Sequence, residues 1–349
     1  MSISLQSIGG PNDGVTIRDA LQRPLRDLRI SVTDRCNFRC PYCMPKEVFG
    51  RDWAFLPRAE LLSFEEIVRL ARIFVTLGIE KIRITGGEPL LRRDLPKLIA
   101  GIARIEGARD LTLTTNGALL ARIADDLKQA GLQRLTVSLD AIDEAVFRAM
   151  SDVNIPVGRV LDGIDAAAAA GLHPIKVNMV VKRGMNDHCI GAMAGHFRHT
   201  GHILRFIEYM DVGDSNGWRM QDVVPAREII GAIEKEWPLE PLERNYPGEV
   251  ATRYRYRDGG GEIGMIASVT QPFCRGCTRS RITADGTFYT CLFATRGHDL
   301  RQLLRQGASD CEIRAFISSV WRGRSDRYSE IRHGAGIGLP KVEMSRVGG

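Results

Sequence analysis

The feature that most restricts the fold is a sixfold alternation of short apolar segments with amphipathic stretches. The short segments are rich in β-branched residues or leucine, as buried strands are, and lie at residues 28–32, 81–85, 111–114, 135–139, 175–181 and 204–209. Helical patterns separate them at residues 63–77, 95–105, 119–130, 157–170 and 187–200. Because parallel neighbouring strands need a crossover, usually a helix, the alternation predicts an α/β fold with a parallel sheet and helices outside it.

Five of these predicted strands carry a polar face. Alternate side chains of a strand point to opposite sides, and on one side they are Arg29, Ser31, Thr33, Arg83, Thr85, Thr112, Thr114, Thr136, Ser138, Asp140, Lys176 and Asn178. Branched apolar side chains fill the lumen of a closed eight-stranded barrel, so this face predicts an open barrel that holds a polar ligand. Two alternatives remain: an antiparallel sheet wetted on one side, or cations that pair with Asp140 or Glu208 and bind nothing.

The regular alternation of predicted strands and helices ends near residue 240. Prolines 238, 241 and 247 and the glycine run at 259–261 interrupt the pattern. We therefore expect an N-terminal extension (1–26), a barrel (27–240) and a loop-rich C-terminal region (241–349) with one helix near residues 312–322. A chain of 349 residues accommodates about two such units.

Charge and cysteine content narrow the class of protein. The net charge of +6 suits anionic ligands without implying the basic face of a nucleic-acid binder. No run of 18 apolar residues is present, and the first 27 residues lack a signal-peptide core, so we expect a cytoplasmic protein with no membrane span. In that compartment clustered cysteines indicate metal ligands or catalytic groups before disulfides.

The first cysteine cluster is Cys36-x3-Cys40-x2-Cys43. It directly follows the first predicted strand, at the carboxyl end where barrel active sites are built. Three thiolates can hold three irons of a [4Fe–4S] cluster and leave the fourth iron free for another ligand. Zinc needs a fourth ligand, and no histidine follows nearby. Phe38 and Tyr42 can screen a cluster from water, so the spacing favours iron–sulfur chemistry.

The second cluster, Cys274-x2-Cys277-x13-Cys291, is more ambiguous. A zinc ribbon begins in the same way, and Cys311 or His298 could supply a fourth ligand.

The residues after Cys277 favour a second iron–sulfur cluster beside a phosphorylated substrate. Arg279, Ser280 and Arg281 follow it directly, and guanidinium groups match phosphate oxygens in bidentate geometry.

The first cysteine motif, with Tyr42 before its last cysteine and Gly86-Gly87-Glu88-Pro89 one β/α unit later, resembles the radical S-adenosylmethionine (SAM) superfamily. The whole set of motifs closely resembles one branch of it, the GTP 3′,8-cyclases of molybdenum cofactor biosynthesis, from Arg26 to Gly349. The motifs that carry this resemblance are residues 28–43, 84–92, 114–117, 273–281 and the terminal Gly348-Gly349.

This resemblance implies a partial (β/α)6 TIM-like barrel, two [4Fe–4S] clusters and SAM as cosubstrate. It implies SAM contacts at Tyr42, Gly87, Ser138 and Met210. It implies GTP contacts at Arg29, Arg83, Thr114, Lys176, Arg279, Ser280 and Arg281. It also implies catalytic roles for Arg279, Arg281, Gly348 and Gly349, with the tail entering the barrel.

The implied reaction begins when a 5′-deoxyadenosyl radical removes hydrogen from C3′ of GTP. It ends in (8S)-3′,8-cyclo-7,8-dihydroguanosine 5′-triphosphate. A one-electron reductant and a downstream cyclic pyranopterin monophosphate synthase are the implied partners. The sequence leaves the oligomeric state open, and a homodimer is compatible with it.

Two other functions stay open at this point. A radical SAM enzyme that modifies peptides through an auxiliary cluster should carry more than three clustered cysteines beyond residue 240. A non-catalytic iron–sulfur protein that binds RNA or acts as a scaffold should interleave stacking aromatics with basic residues, and aromatics are 7% of this chain.

Overall fold

The computed structural model describes residues 16–246, 248–332 and 341–348. The centre of the fold is a set of six parallel strands: β1 (Asp27–Ser31), β2 (Lys81–Thr85), β3 (Asp110–Thr115), β4 (Arg134–Ser138), β5 (Lys176–Val181) and β6 (Ile203–Glu208). Each bound lies within one residue of the prediction. The antiparallel alternative is wrong, because β1 to β6 pair in sequence order and all in parallel.

Helices cover the outside of this sheet: α1 (Phe64–Thr76), α2 (Leu95–Ala103), α3 (Ala124–Gln129), α4 (Glu144–Ser151), α5 (Gly158–Ala169), α6 (Ile190–Phe197) and α7 (Ala226–Glu234). Helix α1 begins with a capping box, in which Ser63 and Glu66 satisfy each other's main-chain N–H. The sequence analysis missed α4 because it assigned one helix to the crossover that α4 shares with α5. Asp143 caps α4 by accepting from two main-chain N–H groups.

The C-terminal region differs from the loop-rich expectation. It contains strands β7 (Leu239–Leu242), β8 (Thr252–Tyr256), β9 (Glu262–Ile266), β10 (Arg279–Ile282), β11 (Thr287–Tyr289) and β12 (His298–Asp299). Its helices are α8 (Leu300–Arg305), α9 (Asp310–Arg322), α10 (Tyr328–Ile331) and α11 (Met344–Val347). The strands of two to four residues among them give too short a pattern for sequence periodicity to reveal, and the nearby proline and the glycine run at 259–261 obscured the five-residue β8 and β9.

These C-terminal strands extend the barrel sheet at both edges. β9 pairs in parallel with β6, and β10 pairs in parallel with β1. The described sheet runs β12-β11-β10-β1-β2-β3-β4-β5-β6-β9-β8-β7, and β9 and β10 are not paired with each other in it. Side chains from seven of the eight parallel strands line one cavity, so the sheet curves into an open barrel. The loop between β9 and β10 carries Cys274 and Cys277 across the opening.

The outer faces of the strands are apolar and pack against the helices. Ile30, Ile82 and Ile84 are buried in this layer. Phe74 of α1 also packs against Phe288 of β11, with ring centroids 5.4 Å apart, so the C-terminal strands share the barrel's core. Among the described residues, no helix combines the length and apolarity needed to cross a membrane.

Replacing Phe288 by alanine tests whether the C-terminal strands are integral to the barrel. We expect Phe288→Ala to lower the free energy of unfolding by about 3–5 kcal/mol, because it leaves a cavity against Phe74. Phe288→Leu, which keeps most of the volume, should cost about 1 kcal/mol. Urea denaturation followed by tryptophan fluorescence measures both. A cost below about 1 kcal/mol for the alanine variant would contradict a shared core.

Candidate active site

The first of two cavities lies inside the barrel and is lined mainly by cations. We call it the arginine cavity; its charged lining residues are Arg23, Asp27, Arg29, Lys81, Arg83, Arg205, Arg279, Arg281, Arg324 and Asp326. Strand register brings its centre together, because Arg29 on β1 is opposite both Arg83 on β2 and Arg281 on β10. Arg83 Nη1 donates to the hydroxyls of Thr114 at 2.7 Å and Thr136 at 3.2 Å.

Buried positive charge dominates the electrostatics of this cavity. Burial and the charge of Arg281 hold the pKa of Arg29 well below its usual value. Burial and neighbouring cations also lower the pKa of Arg205 to about 9. For Asp27, burial acts to raise the pKa, but Arg29, Lys81 and other cations outweigh it and the net shift is downward. Cations in such excess need an anionic partner, which a triphosphate can supply.

The alternative in which these cations pair with Asp140 or Glu208 is wrong. Glu208 accepts hydrogen bonds from the main chain of Ala226, Val269 and Thr270, and from the Thr270 hydroxyl. Asp140 accepts from the Tyr42 hydroxyl at 2.7 Å and from a main-chain N–H. Both carboxylates are therefore committed elsewhere.

The second cavity lies at the carboxyl ends of the strands and joins the first cysteine motif to the glycine turn. We call it the glycine-turn cavity; its walls include Cys36, Cys40, Tyr42, Cys43, Gly87, Ser138, Asp140 and Met210. Gly87 approaches the chain before Cys36 so closely that a Cβ atom would lie 2.3 Å from the carbonyl oxygen of Arg35. Only glycine fits there.

Glu88 fixes the conformation of the glycine turn. Its buried carboxylate accepts from the main chain of Leu90 and Asn116 and from the Thr115 hydroxyl. Burial raises the pKa of Glu88 to about 7, and these hydrogen bonds act in the opposite direction. Asn116 in turn donates to Asn37 at 2.8 Å, so the turn and the cysteine loop form one unit.

The two cavities share a wall. Thr114, Asn178, Ile207, Met210 and Met344 line both of them. Ligands bound in the two cavities would therefore lie close to each other, beside the same side chains. This is the arrangement that an atom transfer between two substrates requires.

The second cysteine triad faces the arginine cavity. Cys274, Cys277 and Cys291 all line it, and Arg279 donates to Cys277 Sγ at 3.1 Å. Burial acts to raise the pKa of the Cys277 thiol, but Arg279 and Arg324 outweigh it and bring the pKa to about 6. In the same triad, burial raises the pKa of Cys291 to about 11, so Cys277 is the thiol that the two arginines hold as thiolate, the form that ligates metal.

Zinc fits neither triad as well as a cluster does. Cys311 is exposed on α9, and the His298 ring packs beside Phe288 and Phe316, so neither residue reaches the second triad as a fourth ligand. Within the described ranges, no three Cys, His, Asp or Glu side chains converge on a point where one metal ion would bind. Zinc needs four ligands around one ion, whereas a cluster spreads its thiolates over several irons.

The C-terminal tail lies inside the barrel. Arg281 donates to the carbonyl oxygens of Val347, at 3.0 Å, and Gly348, and Ser31 donates to that of Arg346 at 3.0 Å. Gly348 has a φ of +71°, and a Cβ atom there would lie 2.3 Å from Thr85 Cγ2. Glycine is thus required at 348, and Gly349 lies outside the described residues.

Two predicted GTP contacts lie apart from the others. Ser280 is on the opposite face of β10 from its neighbours, and its hydroxyl donates to the main chain of Asp27 at 3.3 Å. Lys176 is on the inner face of β5, two residues from Asn178, but does not itself line the arginine cavity.

The sequence analysis missed four other cations of this cavity, Arg23, Lys81, Arg205 and Arg324. Lys81 precedes Arg83 by two positions, so strand periodicity alone could have found it. Arg205 is flanked by apolar residues at 203 and 207 on its own face, which hid the signal.

Comparisons with known proteins agree with this site. A family model described as the radical SAM superfamily matches residues 30–196, and one described as Molybdenum Cofactor Synthesis C matches residues 202–330. The barrel, the first triad and the glycine turn thus define a radical SAM enzyme.

A GTP 3′,8-cyclase of Acidothermus cellulolyticus is 60% identical over 90% of this chain and 88% of its own length. One of Staphylococcus carnosus is 49% identical over 95% of this chain and 99% of its own length. The chain therefore belongs to the GTP 3′,8-cyclase family. Its cofactors are accordingly two [4Fe–4S] clusters, with SAM as cosubstrate.

Solved structures support the fold. Streptococcus suis SuiB bound to S-adenosylmethionine has a TM-score of 0.60 at 14% identity, over 90% of this chain and 75% of that one. SuiB bound to its precursor peptide SuiA has a TM-score of 0.59 at 14% identity, over 89% of this chain and 67% of that one. At this identity the likeness concerns the fold alone.

Substituting Gly348 tests the fit of the tail. We expect Gly348→Ala to expel the tail from the barrel, because the added methyl group overlaps Thr85. Hydrogen–deuterium exchange of residues 344–348 should then rise at least about tenfold, with the iron content unchanged. Thr85→Ala in the same chain removes the overlapping atoms and should restore part of the protection. Equal exchange in Gly348→Ala and the parent protein would show that the tail is not held there.

Proposed function

We propose that this member of the GTP 3′,8-cyclase family converts GTP into (8S)-3′,8-cyclo-7,8-dihydroguanosine 5′-triphosphate, as the first step of molybdenum cofactor biosynthesis. The observation that carries the proposal is the shared wall between a radical SAM cavity and a cavity lined by cations. The first cavity suits a SAM molecule, and the second suits a nucleoside triphosphate.

Three thiols at each site fit a [4Fe–4S] cluster with one iron open. Cys36, Cys40 and Cys43 would hold the first cluster, and Cys274, Cys277 and Cys291 would hold the second. When bound, the first cluster supplies the electron that cleaves SAM to methionine and the 5′-deoxyadenosyl radical.

The chain's own residues then have three tasks. Arg29, Arg83 and Arg279 neutralise and orient the triphosphate through charged hydrogen bonds. Backbone groups at Gly87 hold the methionine part of SAM, and Tyr42, Ser138 and Met210 line the rest of its cavity. Together they set C3′ of GTP opposite the adenosyl carbon, so that hydrogen transfer and the C3′–C8 bond follow from proximity. The base radical that this bond leaves takes up one electron, supplied by the one-electron reductant, and one proton to give the 7,8-dihydro product.

The tail completes the site at the end where the two cavities meet. Met344 borders both cavities, and Arg281 holds the main chain of Val347 and Gly348 beside the substrate space. The tail thereby excludes water from a radical reaction that water and oxygen would divert.

The buried cations favour GTP over a peptide substrate. A peptide has no charge density that would compensate several buried arginines and lysines, whereas a triphosphate does. Cys311, the cysteine that an additional ligand set would recruit, is exposed on α9. We place the reaction in the cytoplasm, with a one-electron protein reductant upstream and a synthase that consumes the cyclised nucleotide downstream.

Deuterium transfer tests the reaction directly. Anaerobically reconstituted protein is mixed with dithionite, SAM and GTP deuterated at C3′, and 5′-deoxyadenosine is analysed by mass spectrometry. We expect deuterium in 5′-deoxyadenosine, and more 5′-deoxyadenosine with GTP than without. The matched variant Cys291→Ser removes a thiol of the second triad and should lose GTP conversion by about tenfold to a hundredfold while retaining SAM cleavage. Unlabelled 5′-deoxyadenosine that forms equally without GTP would refute GTP as the substrate.

Lys176 lies beside the arginine cavity without lining it, so its pKa tests whether the triphosphate extends as far as β5. Burial and the charge of Arg205 lower the pKa of Lys176 from 10.5 to about 7, so at pH 8 it is mostly neutral in the free protein. A triphosphate that reaches Lys176 raises that pKa again, so GTP binding at pH 8 should take up about one proton, and affinity should fall as pH rises above 7.

Calorimetry in two buffers of different ionisation enthalpy measures this proton uptake. Lys176→Met should abolish most of it, whereas Lys46→Met, at an exposed lysine paired with Asp152, should not change it. The same uptake in Lys176→Met as in the parent protein would remove Lys176 from the phosphate site.

A further inference from the structure

A buried ionic unit lies beside the second cysteine triad, partly in the segment that the sequence analysis assigned to an extension. Asp19, Arg23 and Arg324 form it, and their side chains are at most 2% exposed. Asp19 Oδ2 accepts from Arg23 Nε at 2.6 Å and from Arg324 Nη1 at 3.1 Å. Burying charged groups costs desolvation energy that apolar packing would avoid, so stability alone does not account for the unit.

Each arginine of the unit holds a different cysteine of the triad. Arg23 Nη1 donates to the carbonyl oxygen of Cys274 at 2.9 Å, and Arg324 Nη1 donates to that of Cys277 at 2.9 Å. Each carbonyl carbon is bonded to the same Cα atom as the cysteine side chain. Fixing the carbonyl therefore restricts where the sulfur can point.

The surrounding contacts keep the two guanidinium groups in place. The Arg324 guanidinium lies over the buried Trp321 ring, 4.5 Å from its centroid. The Trp321 indole N–H donates to the Arg23 carbonyl oxygen at 3.3 Å, and Arg23 Nη1 also donates to that of Asp326 at 2.7 Å. The unit is thus a rigid support.

An unused donor of the unit remains next to the triad. Arg23 and Arg324 line the arginine cavity together with the three cysteines. Arg23 Nη2 is buried and has no hydrogen-bond partner among the residues that the structure describes, whereas Arg324 Nε lies 3.4 Å from Asp326 Oδ2 in an ion pair. Buried N–H groups without partners are costly, and sulfur atoms at the triad would be acceptors within the same cavity.

We propose that Asp19, Arg23 and Arg324 are positioning residues for the second [4Fe–4S] cluster. They fix Cys274 and Cys277 and place positive charge beside the cluster. This inference rests on the proposed function, which assigns the second triad to a cluster. Because the reduction potential of a cluster depends on net charge and on hydrogen bonds to its sulfurs, the two arginines stabilise the reduced form.

The test uses the full chain with Cys36→Ser, Cys40→Ser and Cys43→Ser, which leaves the second cluster as the cluster to be measured. Arg324→Lys keeps the charge but loses the forked geometry, and Arg324→Gln loses both. We expect both Arg324 variants to release iron to a ferrous chelator about tenfold faster than the triple-serine parent protein that keeps Arg324. In an EPR-monitored redox titration, Arg324→Gln should show a lower midpoint potential than Arg324→Lys.

Arg198→Lys is the matched control. Arg198 also pairs with a carboxylate, that of Asp258, and lies over a tryptophan ring, that of Trp237, at 4.7 Å. It is not among the described residues that line the arginine cavity. We expect its rate of iron release and its midpoint potential to equal those of the parent.

Several outcomes would overturn the inference. One is equal rates of iron release for Arg324→Lys and Arg198→Lys; another is a midpoint potential of Arg324→Gln equal to the parent's. If circular dichroism shows that the Arg324 variants do not fold, Arg23→Lys and Arg23→Gln are judged by the same criteria. Neither measurement uses GTP, so a failed deuterium transfer refutes the proposed reaction without touching this result. If the variant with Cys36→Ser, Cys40→Ser and Cys43→Ser binds no iron, both the cluster assignment and this inference are overturned.

Discussion

Repulsion among buried cations is the constraint on which the rest of the structure depends. Arg29, Arg83 and Arg281 lie side by side on three neighbouring strands. Asp27, two residues before Arg29 on β1, is a carboxylate whose negative charge partly compensates them. Removing such groups from water costs several kcal/mol each unless an opposite charge meets them. The lumen therefore cannot be packed as an apolar core, and the barrel stays open around a polyanion. The polar lumen and the class of substrate thus meet the same electrostatic requirement.

The sequence predicted the parts of this arrangement that local patterns encode. Six strands, their inner faces and the first cysteine loop depend on periodicity and spacing within a few residues. The position of Ser280 was not predictable in the same way, because the triplet 279–281 looked like a loop after Cys277. Once it pairs with β1 as a strand, its middle residue must face the opposite side from Arg279 and Arg281. β10 forms a strand because it hydrogen-bonds to the free edge of β1. A local sequence pattern contains no information about this long-range pairing.

The tail shows how one cation can serve two partners. Arg281 donates to the carbonyl oxygens of Val347 and Gly348, which are neutral acceptors. They satisfy its hydrogen-bonding capacity without cancelling its charge, so its attraction for a phosphate persists. Burial, and next the charge of Arg279, lower the pKa of Arg281 to about 10, which is still far above neutral pH. The same side chain can therefore hold the tail in the barrel and attract the substrate.

The two cysteine triads differ in how the chain supports them. The first follows β1 and rests on the glycine turn, where Gly87 and Glu88 donate main-chain hydrogen bonds to Thr33 and Arg35. The second depends on distant segments, because Arg23 reaches Cys274 across 251 residues and Asp326 across 303. The entropic cost of closing a loop grows with its length, so the contacts that support the second triad are the costlier ones to close. The support of the first triad lies within its own half of the chain, whereas that of the second requires both ends of the chain to meet.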